Sequence, residues 1–186
     1  MALWHRRSLA VEVLALVALS GTLACGDDEP ARDQTVFWMT LSTALGATCS
    51  SFDTFDVPND GSARGITTGG GGGDRFVDGD GGYVECTVEE GSAAGQYNLV
   101  MTLSAGDFGN LTVSGVANGG MATVDVNFTT NTSVNLEQRG CTATVREALA
   151  GAIWLQNLSC PGLVDPSSPG ITCTGTGGLI AENCAR

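Results

Sequence analysis

Residues Asp74 to Glu85 read DRFVDGDGGYVE and space their carboxylates as a twelve-residue calcium loop does. Asp74 falls at the first position, Asp78 at the fifth, Gly79 at the sixth and Glu85 at the twelfth; these are the hard oxygens and the sharp turn that calcium requires. Asp80 adds a further carboxylate. Phe76 stands where Asp or Asn is usual, and Gly81 where an apolar residue is usual. A glycine run and a strand flank the segment in place of two helices. The expectation is a loose calcium site on Asp74, Asp78, Asp80 and Glu85, with a solvated acidic turn as the alternative.

A second kind of chemistry needs only two carboxyls. Glycoside hydrolysis uses a pair about 5–10 Å apart across a cleft, and Asp78, Asp80, Glu85, Glu89 and Glu90 supply enough acids for one. Most other catalytic chemistry is excluded by residue type. The one histidine, His5, lies in the first few residues, and the chain has no lysine. Ser-His-Asp and Cys-His catalysis, His-ligated zinc, Schiff bases and Ser-Lys dyads therefore have no means of operating after residue 5. No Asp-Thr-Gly or Asp-Ser-Gly of an aspartic protease is present. Trp154 is expected in the core, where one large indole fills the space between strands; exposed, it would stack on sugar.

Residues 1–25 divide as a secretory signal does. Arg6 and Arg7 form a positive start, Leu9 to Leu19 is apolar apart from Glu12, and small residues precede Cys25. The apolar run of about 11 residues is short against the about 20 that a spanning helix needs. Arg6-Arg7 reads as an ordinary basic start more readily than as a twin-arginine signal. The segment Thr22-Leu23-Ala24-Cys25 resembles the lipobox of bacterial lipoproteins. That resemblance implies cleavage before Cys25, a diacylglycerol thioether on its sulfur and acylation of its new amino group. Each buried CH₂ contributes about 0.8 kcal/mol, so several chains give lasting attachment where one is marginal. Gly26 in the next position resembles the pattern sent onward to the outer membrane. With such an anchor, the sequons at Asn110, Asn127, Asn131 and Asn157 read as chance in a Thr-rich protein.

Seven cysteines occur in the chain, and setting Cys25 aside leaves six: Cys49, Cys86, Cys141, Cys160, Cys173 and Cys184. None forms a C-x-x-C pair, so they read as three disulfides in an oxidising compartment. Fifteen pairings are open. Closing the loop that carries Pro161, Pro166 and Pro169 favours Cys160–Cys173, with Cys49–Cys86 and Cys141–Cys184 as companions.

The elements that must position these residues are strands. Tyr97, Leu99, Met101 and Leu103 alternate with Asn98, Val100 and Thr102; Val124, Val126 and Phe128 alternate with Asp125 and Asn127. Strand-like segments recur at 83–89, 96–104, 110–116, 121–128, 133–136, 141–147, 152–160 and 171–180, with turn residues between them. Thr35 to Leu41 reads as a first strand, with a short helix running to Leu45 as the competing assignment. Arg146 to Leu155 begins like a helical turn, but Gly151 favours a strand after it. Gly61 to Gly82 holds ten glycines in 22 residues and reads as a long surface loop. The fold class expected is mainly β, an antiparallel sandwich or jelly-roll-like domain. Its organisation is a signal over 1–24, a lipidated cysteine and tether over 25–34, and a β-domain over 35–186. The Gly/Thr/Asn-rich strands with clustered late cysteines resemble small β-sandwich lipoproteins of bacterial envelopes.

A formal net charge of −12 opposes nucleic acid or bare anionic lipid as a partner, since both require a basic surface. The sequence thus points to a lipid-anchored, non-catalytic structural or interaction module of the bacterial cell envelope. It would be held at the membrane by the lipid on Cys25, sent toward the outer membrane, and have an envelope protein or glycan as partner, with no required cofactor. The rival is a calcium-assisted glycan- or protein-binding module using 74–85. A carboxylate hydrolase is the remote third.

Overall fold

The computed structural model describes residues 31–45, 49, 54–57, 75–79, 81–106, 108–130 and 135–186. Cys25 and the signal, Asp74, Asp80, Asn131 and most of the Gly-rich segment lie outside the described residues. The described residues form ten strands: β1 (Gln34–Leu45), β2 (Thr54–Val57), β3 (Phe76–Val77), β4 (Gly82–Glu90), β5 (Gln96–Ala105), β6 (Gly109–Asn118), β7 (Met121–Thr130), β8 (Asn135–Leu149), β9 (Ala152–Asp165) and β10 (Ser168–Glu182). The mainly β, antiparallel expectation holds. It is realised as one continuous sheet, in the order β2-β1-β10-β9-β8-β7-β6-β5-β4, with β3 beside β1. From β4 to β10 each strand pairs with the next in sequence, a meander without Greek-key crossings.

Alternation decides which face of each strand turns inward. In β7, Ala122, Val124, Val126 and Phe128 are buried while Met121, Thr123, Asp125 and Asn127 are exposed. The turns between strands are set by backbone chemistry. Asn118 pairs with Met121 across a two-residue turn, Gly119-Gly120, in which both φ are positive (57° and 93°). That conformation matches the twist of a hairpin and is closed to most side chains. Between β9 and β10 the Asp165 carboxylate accepts from Ser167 N at 2.8 Å and Ser167 Oγ at 2.6 Å, an Asx turn that reverses the chain at Pro166. These bonds hold the Asp165 carboxyl below the usual carboxylate range, that from the Ser167 hydroxyl contributing most.

The inward faces share one core, from Phe37, Met39 and Leu41 on β1 through Leu99, Met101 and Leu103 on β5 to Leu155 and Leu163 on β9. Each such side chain, fully buried, contributes about 1.5–3 kcal/mol. Phe108, in the turn between β5 and β6, sets its ring edge-on to Phe37 with centroids 6.3 Å apart. Part of the outer face is also covered. Val36, Ile180 and Trp154 stand opposite one another across β1, β10 and β9, and Val36 and Ile180 are buried. Beside them Glu182 accepts from Arg75 Nε at 2.8 Å and from Gln34 Nε2 at 3.1 Å.

Several sequence expectations change. The expected segment 141–147 and the described part of 133–136, residues 135–136, belong to a single strand, β8, because a bulge carries the ladder past Arg139-Gly140. Strand β1 continues to Leu45 without a helix, and Gly151 turns β8 into β9 with φ +87°. Trp154 is not in the core: its neighbours Ile153 and Leu155 face inward, so its ring lies on the outer face, 6.0 Å from the Arg146 guanidinium.

The disulfides are Cys49–Cys173, Cys86–Cys184 and Cys141–Cys160, so none of the three expected pairings occurs. Register explains the clearest case. Thr142 stands opposite Ser159, which places Cys141 directly across from Cys160. Cys173 stands opposite Leu163 on β9 and Thr43 on β1, three residues along from Cys160 and close to the chain after β1.

The ends of the sheet, β2 and β4, do not pair with each other. The edge of β4 is met instead by the C-terminal tail. Val88 N donates to Ala185 O at 3.0 Å, Ala185 N donates to Cys86 O at 2.9 Å, and the Cys86–Cys184 bridge clips the two together. The sheet is thus almost closed, with a seam beside β4.

Candidate functional site

The acidic segment reaches this seam. Asp78 follows β3, and its Oδ1 accepts from Val84 N at 3.0 Å, tying the turn to the start of β4. Arg32 Nη1 donates to Asp78 O at 2.8 Å, and Gly79 N donates to Gly82 O at 3.0 Å. Gly79 and Gly81 both have positive φ (88° and 84°), so the tight turn expected from the glycines is present. Glu85 lies on the outward face of β4 and accepts the hydroxyl proton of Tyr83.

Sequence reasoning missed a third carboxylate, Asp33. It comes from the residues just before β1, and its Oδ2 accepts from Cys86 N at 2.7 Å. Burial raises the Asp33 pKa above the usual value. The Cys86 amide opposes that rise, and the negative charges of Asp78 and Glu85 add to it. Tyr83 is likewise held above the ordinary phenol value, mainly by its hydrogen bond to Glu85. The seam therefore gathers an acidic patch in which the charges of Asp78 and Glu85 act against Asp33, with the Tyr83 hydroxyl bonded to Glu85. No local sequence signal joins Asp33 to this patch, because more than 40 residues separate it from Asp78 and the sheet alone brings them together.

Among the described residues, no three His, Cys, Asp or Glu side chains converge closely enough to hold a metal ion. Of the four expected ligands, Asp78 and Glu85 are described, and they reach the same patch without meeting on one point. Asp74 and Asp80 lie outside the described residues. The acids of β4 are also spread along the strand. Glu85 and Glu89 share a face four residues apart, about 13 Å at the rise of a strand. That exceeds the separation of a glycosidase pair.

All six cysteines after Cys25 are engaged in bridges, so none of them is free as a thiol nucleophile or ligand. What the patch can do is attract positive charge: a cation, or a basic group on a partner. No family model matches this chain, and neither a curated protein nor a solved structure shows significant similarity to it.

Proposed function

We propose that this is a lipid-anchored protein of the bacterial cell envelope whose β-domain is a non-catalytic structural or interaction module. One observation carries the reading: three disulfides consume every cysteine but Cys25. Paired cysteines support an oxidising, exported location. The one left over sits at the end of an apolar run, where the lipobox resemblance would lipidate it. A buried apolar core supports a module that works through its surface. An envelope protein or a glycan is the partner this reading favours, and the acidic balance opposes nucleic acid. The lipid on Cys25 is the proposed link to the membrane, and Gly26 directs it to the outer one.

The test is a Cys25→Ala variant expressed in a bacterial host. The wild type should fractionate with membranes and carry acyl mass on its first mature residue; the variant should lose both. A variant that stays membrane-bound with acyl chains attached would overturn the anchor.

A calcium-assisted binding module remains the second reading, favoured by the mutual repulsion of Asp33, Asp78 and Glu85. A divalent cation would relieve that repulsion, with Asp74 and Asp80 completing the ligand set. Thermal melts in calcium and in EDTA separate the two readings.

A further inference from the structure

The strongest unassigned feature is a groove on the outer face of β6 to β9, far along the sheet from the seam. It has a cavity volume of about 470 Å³ and is lined by Thr112, Ser114, Asp125, Asn127, Glu137 and Arg139. That size falls within the range of small-ligand sites.

The groove has a local cause. Val124 pairs with Cys141 but Val126 pairs with Gln138, so Arg139 and Gly140 together stand opposite the single residue Asp125, and β8 carries one extra residue. Such a bulge bends its strand and re-aims side chains. Gly140 takes the positive φ (71°) that the bend needs. Side chains replace the missing ladder: Asp125 Oδ1 accepts from Gly140 N at 2.9 Å, and Gln138 Oε1 accepts from Gly162 N at 2.6 Å. Asp125 and Gln138 are thereby fixed on rigid strands, which favours a preorganised site. Asn127 Nδ2 donates to Glu137 Oε2 at 3.3 Å and orients that carboxylate. The second oxygens of Asp125 and Glu137, the Asn127 carbonyl, two hydroxyls and the Arg139 guanidinium remain for a ligand.

This set selects by chemistry. Two carboxylates beside one guanidinium repel an anion or nucleic acid. The guanidinium disfavours a metal ion, and no metal-capable group of three exists among the described residues. An added peptide strand needs a free sheet edge, whereas this groove lies between paired strands. A sugar hydroxyl donates and accepts at once, and so matches carboxylate acceptors interleaved with guanidinium and amide donors. We propose that the groove binds a neutral saccharide, holding one sugar ring between the Asp125 and Glu137 carboxylates and the Arg139 guanidinium. No aromatic ring lines it, so binding is of millimolar strength.

Saturation-transfer NMR on the full chain tests this with maltotriose, cellotriose and triacetylchitotriose at millimolar concentration. Transfer to at least one is expected and persists in EDTA. Glu137→Gln and Arg139→Ala, each shown to be folded by its amide spectrum, weaken it about tenfold or more, the loss of a charge-assisted hydrogen bond. Absence of transfer from all three sugars overturns the proposal, as does transfer unchanged in both variants. Transfer abolished by EDTA but not by the groove variants would also overturn it and assign binding to the Asp74–Glu85 turn.

Discussion

Cys86 and Cys184 are joined across the seam, 98 residues apart in the chain, and between their neighbours run the hydrogen bonds that bind the tail to β4. The bridge therefore does more than restrict the unfolded chain. It keeps the backbone groups at Cys86 and Val88 occupied at what would otherwise be an open edge, the part of a sheet most prone to pair with another chain.

Cys86→Ser/Cys184→Ser should cost about 2–5 kcal/mol in chemical denaturation and promote association at high concentration. Cys141–Cys160 closes a separation of only 19 residues, so its removal should cost roughly 1.5 kcal/mol less on loop length alone. Denaturation midpoints and light scattering check both statements. Equal losses for the two bridges would deny the seam its special role.

Asp33 gives a pH signature. Its pKa is raised in the folded protein, so the folded state holds its proton more tightly than the unfolded state. Stability from this group is fully present in acid below the unfolded pKa, and is lost as pH rises through the folded value. Asp33→Asn retains an oxygen for the Cys86 amide and removes the repulsion. Its melting temperature relative to wild type should rise between acid and neutral pH. A difference independent of pH would refute the assignment.

The buried Arg75–Glu182 pair should behave as a unit. Arg75→Leu takes the Arg75 guanidinium from the buried Glu182 carboxylate, a loss of about 3–5 kcal/mol. Arg75→Leu/Glu182→Gln should recover much of that, since the amide can still bond Gln34. The double-mutant cycle measures the coupling, and strict additivity would show that the pair is not one.

Gly177 has no room for a methyl group, because a Cβ there would meet the Trp38 carbonyl of the adjacent strand. Gly177→Ala should destabilise by about 1–3 kcal/mol or more. Gly170, in open space, should accept alanine within about 0.5 kcal/mol. Thermal melts of the two variants decide this.

Calcium should raise the melting temperature by several degrees over EDTA if Asp78 helps hold the ion, and Asp78→Asn should abolish the rise. An identical melt in both buffers would leave the acidic patch as a surface for basic partners only.

How much of this was legible in the sequence depended on distance along the chain. Strands β5, β6 and β7 could be read because Leu99, Met101 and Leu103, or Val124, Val126 and Phe128, carry a period of two unbroken by bulges. Strand β8 was legible as two pieces but not as one, since Glu137 to Gly140 are polar and end in glycine, which is loop texture; the bulge that keeps them in the ladder is a property of the pairing with β7. The same limit governed the cysteines. Cys141 faces Cys160 only once the β8–β9 register is known, and Cys86 meets Cys184 only after the sheet has curled. Asp33 joined Asp78 through the pairing of β1 with β3 and met β4 beside Glu85 only by that curling, while the tight turn at Gly79 and Gly81 was visible locally.

The pairing of β1 with β10 sets an order in time. Phe37 lies beside Leu179, which a ribosome adds 142 residues later. At about 5–20 residues per second that is a wait of roughly 7–30 s, whereas hairpins such as β6–β7 form in about 1–10 μs once made. The first strand synthesised thus has one edge filled only at the end. Until then β1 has only β2 and β3 to pair with, and its other edge, with Val36, Phe37 and Met39 along it, is open to any escort that keeps a nascent chain soluble; a chain cut short before β10 would leave that edge unfilled.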